Sequence, residues 1–148
     1  MKTPEKSELR KDYIQEKYVI IAPHRSKRPH IGATDDHVCF FCRETVDPKK
    51  ILSFRGTSKK NWDIAVIPNI YPAVSLDNAS AYGQQEVVIE APTHKTFFED
   101  LSVAHISDIL SIYAERTKVI TKNKKIEYVL IFKNEGDRAG ASIMHAHS

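Results

Sequence analysis

The stretch from Ser102 to Phe132 reads SVAHISDILSIYAERTKVITKNKKIEYVLIF, and it decides the fold class. Ser102 is a suitable N-cap, and apolar side chains then recur every three or four residues toward Ile120: Val103, Ile106, Leu110 and Tyr113, widened by Ile109 and Ile112. This spacing predicts one long amphipathic helix. The apolar run Ile126–Phe132 is too short for an independent helix and rich in Ile and Val, so it predicts a central strand.

Three further strands are predicted upstream of this helix. Tyr18–Ala22 and Trp62–Ile67 each end at a proline, and Glu86–Glu90 is a third short β-branched run. Strands in succession, then one long helix, then another strand indicate an α+β fold with an antiparallel sheet. Residues 1–16 are polar and are predicted to form an N-terminal arm, which leaves residues 17–148 as one domain.

Composition sets the broad class of the protein. With 148 residues, 41% hydrophobic and 28% charged, the chain can bury a core without disulfides and is neither collagen-like nor of low complexity. Its 22 Lys and Arg against 19 Asp and Glu give a net charge of +3, too small to predict a nucleic-acid partner. No apolar run approaches the about 18 residues of a membrane helix, and the N-terminus lacks an apolar signal segment. The sequence therefore predicts a soluble, intracellular protein without a nucleic-acid or membrane partner.

The two cysteines form the motif CFFC at Cys39 and Cys42. This spacing is typical of a redox dithiol, but such a motif usually opens a helix after a strand, and Pro48 follows too soon. The same spacing lets two thiolates bind one tetrahedral zinc ion from a tight turn, with two further ligands drawn from His, Asp or Glu. A pair of inert buried thiols is the third possibility.

Two histidines lie in the segment Gly140–Ser148, which reads GASIMHAHS. His145 and His147 would face the same side of a strand, so one could bind a metal while the other stays nucleophilic. A nucleophilic histidine must donate its Nδ1–H to a fixed acceptor, because this directs the Nε2 lone pair at the electrophile. The alternative for each is an ordinary hydrogen-bonded strand residue.

A loop containing Gly, Ser and Asn precedes the two histidines. This segment, Asn134–Ser142, follows the predicted central strand and can present backbone N–H groups and a hydroxyl to phosphate oxygens, although it lacks the Walker pattern G-x-x-x-x-G-K-[ST]. Arg25 and Arg28 carry guanidinium groups suited to phosphate if the fold brings them near. Ordinary surface charges are the alternative role for both arginines.

Taken in order, these residues resemble the N-terminal half of the galactose-1-phosphate uridylyltransferases, a family of the histidine triad superfamily. The resemblance runs through nearly the whole chain in the following blocks: Ala22-Pro23-His24-Arg25 with Arg28-Pro29, Cys39-x-x-Cys42, Ile67-Pro68-Asn69-Ile70-Tyr71-Pro72-Ala73, Glu86–Glu90 with Pro92-Thr93-His94, Phe132–Gly136, Ala139–Ser142 and His145–Ser148. It implies a histidine-triad-like antiparallel sheet with one long helix and a zinc-binding loop region. The C-terminal half of the family has no counterpart in these 148 residues.

The resemblance also implies roles for individual residues. His147 matches the family's nucleophile, and Ile70 stands where some members have an aspartate that contacts the nucleotide. A closed zinc site is implied for Cys39, Cys42, His94 and His145. Substrate contacts are implied for Arg25, Arg28, Asn69, Tyr71, Asn134, Gly140 and Ser142. Residues 139–148 are also similar to the ADP-glucose phosphorylases, so the resemblance leaves both uracil and adenine open as the base.

The resulting hypothesis is a nucleotidylyltransferase that moves UMP or AMP between a nucleoside-diphosphate hexose and a hexose 1-phosphate or phosphate through a nucleotidyl-histidine. The family implies zinc as cofactor, nucleotide sugars and sugar phosphates as small-molecule partners, a homodimer and a cytoplasmic location. Two alternatives stay open. A histidine-triad hydrolase would carry a third histidine two positions after His147, and a non-catalytic, zinc-stabilised module would bind a nucleotide without turning it over.

Overall fold

The computed structural model describes residues 6–27, 39–94, 96–139, 141 and 143–148. The described residues belong to two compact units, the first within residues 1–28 and 69–86 and the second within residues 29–68 and 87–148. In chain order the strands and the long helix are β1 (Glu8–Lys11), β2 (Tyr18–Ile21), β3 (Ser53–Ser58), β4 (Asn61–Pro68), β5 (Glu86–Ile89) and α1 (Val103–Ile120). Short 3-10 turns occupy Pro23–Lys27, Pro48–Lys50, Ala79–Ala81, Phe98–Asp100 and Asp137–Ala139.

The first unit contains an antiparallel hairpin of β1 and β2, in which Glu8 lies opposite Ile21. The turn is stabilised by the Asp12 carboxylate, which accepts a hydrogen bond from the backbone N–H of Ile14 at 2.8 Å. β2 confirms the strand predicted from its β-branched run. β1 is additional, since it lies inside the polar segment 1–16 and pairs through its backbone rather than through an apolar face.

The second unit is built on an antiparallel sheet with the order β3-β4-β5. β4 confirms the strand predicted before Pro68, and β5 confirms the one predicted at residues 86–90. The β3–β4 pairing contains an irregularity at Gly56, whose φ is +122°; a Cβ there would lie 2.6 Å from the Asn61 carbonyl oxygen. Glycine is therefore required at this position.

Each face of this sheet packs on its own hydrophobic cluster. One cluster joins β4 and β5 to the loop before β3, through Trp62, Ala65, Val87, Ile89, Val46 and Ile51. The other joins the opposite face to α1, through Ile64, Val66, Val88, Ile109 and Ile112. Burying a side chain of this size contributes about 1.5–3 kcal/mol, so the two clusters fix the sheet between the loops and the helix.

α1 confirms the predicted helix and its cap, since the Ser102 hydroxyl oxygen accepts from the backbone N–H of His105 at 3.2 Å. The predicted apolar stripe is confirmed in part. Ile109 and Ile112 are fully buried and Tyr113 packs against their cluster, whereas Val103 and Leu110 are exposed. Among the described residues, no helix is long and apolar enough to cross a membrane.

The prediction of a central strand at Ile126–Phe132 is wrong for the structure as described. These residues belong to no helix or strand, and Tyr128 and Leu130 are 78% and 70% exposed. An apolar run forms a strand only where its backbone groups find a partner. The sheet is instead extended by residues 146–148: Val88 and Ser148 exchange two backbone hydrogen bonds at 2.9 and 3.0 Å, and Ile89 forms an antiparallel bridge with His147.

Candidate active site and metal centre

The two cysteines lie in a tight turn that presents both sulfur atoms to one side. The Cys42 N–H donates to the Cys39 carbonyl at 3.2 Å, and the Thr45 hydroxyl donates to the carbonyls of Cys39 and Cys42 at 2.6 and 2.8 Å. The Arg43 N–H donates to the Pro92 carbonyl at 2.9 Å. That bond ties the turn to the loop after β5, which carries His94.

Four side chains converge beside this turn. One ligand atom from each of Cys39, Cys42, His94 and His145 lies within 4.8 Å of the other three, and all but His94 are buried. The Nδ1 atom of His145 is 3.5 Å from Sγ of Cys39 and 3.8 Å from Sγ of Cys42. Tetrahedral zinc with bonds of about 2.3 Å to sulfur and about 2.0 Å to nitrogen would separate such atoms by about 3.5 Å.

The other nitrogen of His145 fixes the orientation of the ring. Nε2 lies 2.7 Å from the Ala91 carbonyl oxygen and donates its proton there. In that tautomer the unprotonated Nδ1 faces the two sulfur atoms, which is the usual arrangement of a metal-binding histidine. Burial lowers the pKa of His145 to about 4, and the rings of His94 and His147 add to the shift. The imidazole is therefore neutral near pH 7, as a metal ligand must be.

The thiols are suited to a metal rather than to redox exchange. Burial raises the pKa of the Cys42 thiol to about 11, with a further contribution from the charge of Cys39. Reactive dithiols need a lowered pKa in the metal-free protein, whereas a bound cation would itself stabilise the thiolate and offset the cost of burial. Neither cysteine is in a disulfide.

His94 gives an independent test of whether a cation fits. Its Nδ1 is buried and has no hydrogen-bond partner in the described part of the chain. A buried polar atom without a partner is costly, and a cation at the centre of the cluster would supply one. Two thiols and two imidazoles are the donor set of closed, structural zinc sites. These four residues therefore fit zinc.

His147 lies next to this cluster on the segment that extends the sheet. Its Nδ1 is 2.6 Å from the His145 carbonyl oxygen and donates to it, so that Nε2 carries the lone pair. The Phe41 ring packs against His147 at a centroid distance of 5.1 Å and lies edge-on to His145 at 6.2 Å. The hydrogen bond that a nucleophilic histidine requires is present.

A shallow cleft opens at His147. Lys133, Asn134, Glu135, His145 and His147 line it, together with neighbours from residues 96–97 and 143–146. Asn134 and His147, both predicted from the sequence, are thus brought to one cleft in the second unit.

The other predicted substrate residues divide into two groups. Arg25, Asn69 and Tyr71 belong to the first unit. There an Arg25 N–H donates to the Tyr71 carbonyl at 2.7 Å, and the Asn69 side-chain oxygen accepts from the Tyr71 N–H at 2.9 Å. Arg28, Gly140 and Ser142 lie outside the described residues.

A buried charge beside His147 was not among the predicted site residues. Glu90 is fully buried, and its carboxylate contacts Lys133, Tyr113 and Ser148. In the sequence, Glu90 is a carboxylate at the end of the apolar run EVVIE. An acidic side chain is rarely buried unless it is paired, so this position could have indicated a buried ion pair.

The fold and the site define a protein with an antiparallel sheet in which a Cys2His2 cluster stands beside a strand histidine with a fixed tautomer. A family described as galactose-1-phosphate uridyl transferase, N-terminal domain, matches residues 53–148. The chain belongs to this family, which confirms the resemblance found in the sequence.

Individual relatives agree with this assignment. The chain is 34% identical over 165 residues to the ADP-glucose phosphorylase of Arabidopsis thaliana, covering 95% of this chain and 47% of that protein. It is 25% identical over 179 residues to the galactose-1-phosphate uridylyltransferase of Kluyveromyces lactis, covering 95% and 46%. The crystal structure of an Arabidopsis thaliana ADP-glucose phosphorylase with bound ADP-glucose superposes with a TM-score of 0.66 at 35% identity, covering 95% of this chain and 46% of that one. The chain thus spans about half the length of the curated relatives it matches.

Proposed function

We propose that this chain carries the nucleotide-accepting histidine of a nucleotidylyltransferase, and that His147 is the nucleophile. The observation that carries the proposal is the 2.6 Å hydrogen bond from Nδ1 of His147 to the His145 carbonyl, because it selects the tautomer with a nucleophilic Nε2. Membership of the uridyl transferase family supports this assignment.

The proposed reaction has two displacements at one phosphorus atom. In the first, Nε2 of His147 attacks the α-phosphorus of a nucleoside-diphosphate hexose. The N–P bond forms, the bond from that phosphorus to the bridging oxygen breaks, and hexose 1-phosphate leaves with the bonding electrons. In the second, a phosphate oxygen of a hexose 1-phosphate, or of inorganic phosphate, attacks the same phosphorus and releases the histidine. Covalent catalysis of this kind replaces one difficult displacement by two easier ones.

Phosphate and nucleotide contacts are proposed for the residues that match the family pattern. Asn134 lines the cleft at His147. The remaining proposed contacts are Arg25, Arg28, Asn69, Tyr71, Gly140 and Ser142. Their function would be to stabilise the charge that develops on the transferring phosphoryl group.

Zinc is proposed to bind Cys39, Cys42, His94 and His145 in a structural role. With four protein ligands the site leaves no position for substrate. When bound, zinc fixes the Cys39–Cys42 turn, the loop after β5 and the His145–His147 segment relative to one another. The contribution of this chain is then to hold His147 at the cleft with its Nδ1 proton on the His145 carbonyl.

The substrate is proposed to be a nucleoside-diphosphate hexose with adenine or uracil as base. The relatives support both, since one is named an ADP-glucose phosphorylase and the other a galactose-1-phosphate uridylyltransferase. We also retain the cytoplasmic location and the homodimer implied by the family. Sedimentation of the zinc-loaded chain over a range of concentrations tests the dimer, and a single monomeric species would contradict it.

The test is the intact mass of the zinc-loaded chain after incubation with ADP-glucose and, separately, with UDP-glucose. Alkaline conditions preserve the acid-labile N–P bond. We expect a nucleotide-sized adduct with one of the two sugars, which identifies the base, and no adduct in His147→Ala. Arg55→Met is the control, because Arg55 lies on β3, outside the proposed substrate contacts, and pairs with Glu115 of α1 at 3.2 Å. An adduct that persists in His147→Ala, or none on the folded wild type, would contradict the proposal.

A further inference from the structure

Glu90 is a buried carboxylate that the proposed reaction does not use. It follows β5, it is 0% exposed, and its backbone N–H donates to the Ala146 carbonyl at 3.0 Å. One carboxylate oxygen accepts hydrogen bonds from the hydroxyls of Tyr113, at 2.8 Å, and of Ser148. The hydroxyls of Tyr113 and Ser148 are themselves 2.6 Å apart. The carboxylate therefore joins α1 to the residue that follows His147.

Lys133 supplies the counter-charge and a second contact with the same segment. Its Nζ lies 2.5 Å from the other carboxylate oxygen of Glu90 and 3.4 Å from the His147 carbonyl oxygen. The ammonium also lies 3.7 Å from Glu135 and 5.3 Å from the centre of the Phe98 ring. Only 22% of the lysine side chain is exposed, so solvent screens this pair little.

Three consecutive residues of the sheet extension thus contact Glu90 or Lys133, and two of them contact the side chains of the ion pair. Ala146 is held by the Glu90 backbone, His147 by the Lys133 ammonium and Ser148 by the Glu90 carboxylate. We propose that Glu90 and Lys133 are positioning residues, which fix the backbone on both sides of His147 so that its Nδ1–H stays on the His145 carbonyl. The role in catalysis rests on the proposed function of His147; the effect on the ring does not.

The desolvation cost of the Glu90–Lys133 ion pair supports a positioning role. Placing a carboxylate and an ammonium in the interior sacrifices their hydration, and replacing such a pair with apolar side chains is often neutral or stabilising. A pair of this kind is therefore weak evidence for stability, and a role in fixing the local geometry is the hypothesis to be tested. Here the geometry is that of one short segment, and a misplacement of about 1 Å in an active site lowers a rate by about a hundredfold.

The experiment uses Glu90→Gln, Lys133→Met and the double variant, all zinc-loaded. The double variant is included because each single change leaves one buried charge uncompensated, whereas the double change removes both. Lys133→Arg keeps the cation and tests rescue. The matched control is Arg55→Met with Glu115→Gln, since that ion pair also joins the sheet to α1, at 3.2 Å, and is more exposed than the buried pair.

Two readouts separate positioning from stability. The first is the ring tautomer of His147, from long-range 1H–15N correlation spectra of folded protein. We expect one Nδ1–H tautomer in the wild type and in the control, and a mixture in the double variant. The second is the first-order rate of nucleotide transfer to His147 from ADP-glucose or UDP-glucose at saturation. We expect it to fall by about tenfold to a hundredfold in the double variant, with the rate largely restored in Lys133→Arg.

Each outcome decides the proposal. A folded double variant that keeps a single His147 tautomer and the wild-type rate overturns it, as does an equal loss in the control. A fall in the amount of folded protein with an unchanged rate per folded molecule would assign the pair to stability and likewise overturn it. If the wild type forms no nucleotide adduct, the proposed function fails. The tautomer spectra still decide whether Glu90 and Lys133 position the ring.

Discussion

Two different sets of polar side chains contact the segment 145–148, one at each side. At one side Cys39, Cys42 and His94 converge on His145, and the set is complete only with a cation. At the other side Glu90 and Lys133 neutralise each other within the chain. If zinc binds as proposed, the first side depends on an external ion, whereas the second depends on a pairing that the sequence itself supplies. His147 lies between the two sides, so variants at either side separate the two contributions.

The largest effect is expected from loss of the metal. Cys42→Ser, or removal of zinc with a chelator, should lower the free energy of unfolding by at least about 4 kcal/mol, since structural zinc contributes about 10–16 kcal/mol in zinc-finger peptides. Thermal unfolding, with metal content measured by atomic emission, checks this. Because burial raises the pKa of Cys42 to about 11, its thiol is protonated near neutral pH without metal. Zinc addition should therefore release at least this proton into a weakly buffered solution.

His24→Asn serves as the control for changes of histidine outside the cluster. It should keep one zinc per chain and the wild-type melting temperature within a few degrees. If the chelated wild type melts at the same temperature as the zinc-loaded protein, the cluster is not a structural metal site.

Breaking the internal ion pair should have the next largest effect. Lys133→Met leaves the Glu90 carboxylate buried without its cation, and loss of one partner of a buried pair costs about 3–5 kcal/mol. The double variant with Glu90→Gln should recover most of that loss, because both charges are gone. Urea unfolding of the zinc-loaded variants measures these differences. Equal losses in the single and double variants would show that hydrogen bonds, rather than charge, dominate at this side.

The sequence predicts the parts of this molecule that are determined locally. β2, β4 and β5 follow from apolar runs ended by turns or proline, and α1 follows from its cap and its spacing. β3 reads SFRGTS, has no apolar alternation, and forms because β4 pairs with it around Gly56. Ile126–Phe132 has the stronger strand pattern and yet pairs with nothing in the described residues. Strand formation depends on a partner that a local pattern does not contain.

The same distinction applies to the site. The C-x-x-C spacing leaves a redox dithiol, a metal site and inert thiols open. The four possible ligands come from segments as far apart as Cys39 and His145, so only a resemblance or a structure identifies the complete set. The roles of Glu90 and Lys133 are harder still to predict from the sequence. Each looks like an ordinary charge at the edge of an apolar run, and their pairing depends on how residues 146–148 add to β5.

The smallest effect is expected from the exposed ion pair, whose contribution to stability can be compared with that of the buried pair. Arg55 and Glu115 join β3 to α1 at 3.2 Å, with 31% and 41% of their side chains exposed, so the pair should contribute less than about 1 kcal/mol. Its contribution should shrink further in 1 M salt, whereas that of Glu90 and Lys133 should change little. Hydrogen bonding from Ser53, followed by Arg55, lowers the pKa of Glu115.

The sign of the pH dependence follows from that lowered pKa. Between its folded and unfolded pKa values Glu115 binds fewer protons in the folded state, so its contribution is present above the unfolded pKa and is lost as the pH falls through the folded one. Unfolding of Glu115→Gln and wild type at pH 7 and pH 3, in low and high salt, measures this. A difference that grows toward pH 3 would contradict the lowered pKa of Glu115, and one that is insensitive to salt would mean that the pair behaves like a buried one. The contrast between the two ion pairs would then not follow from exposure.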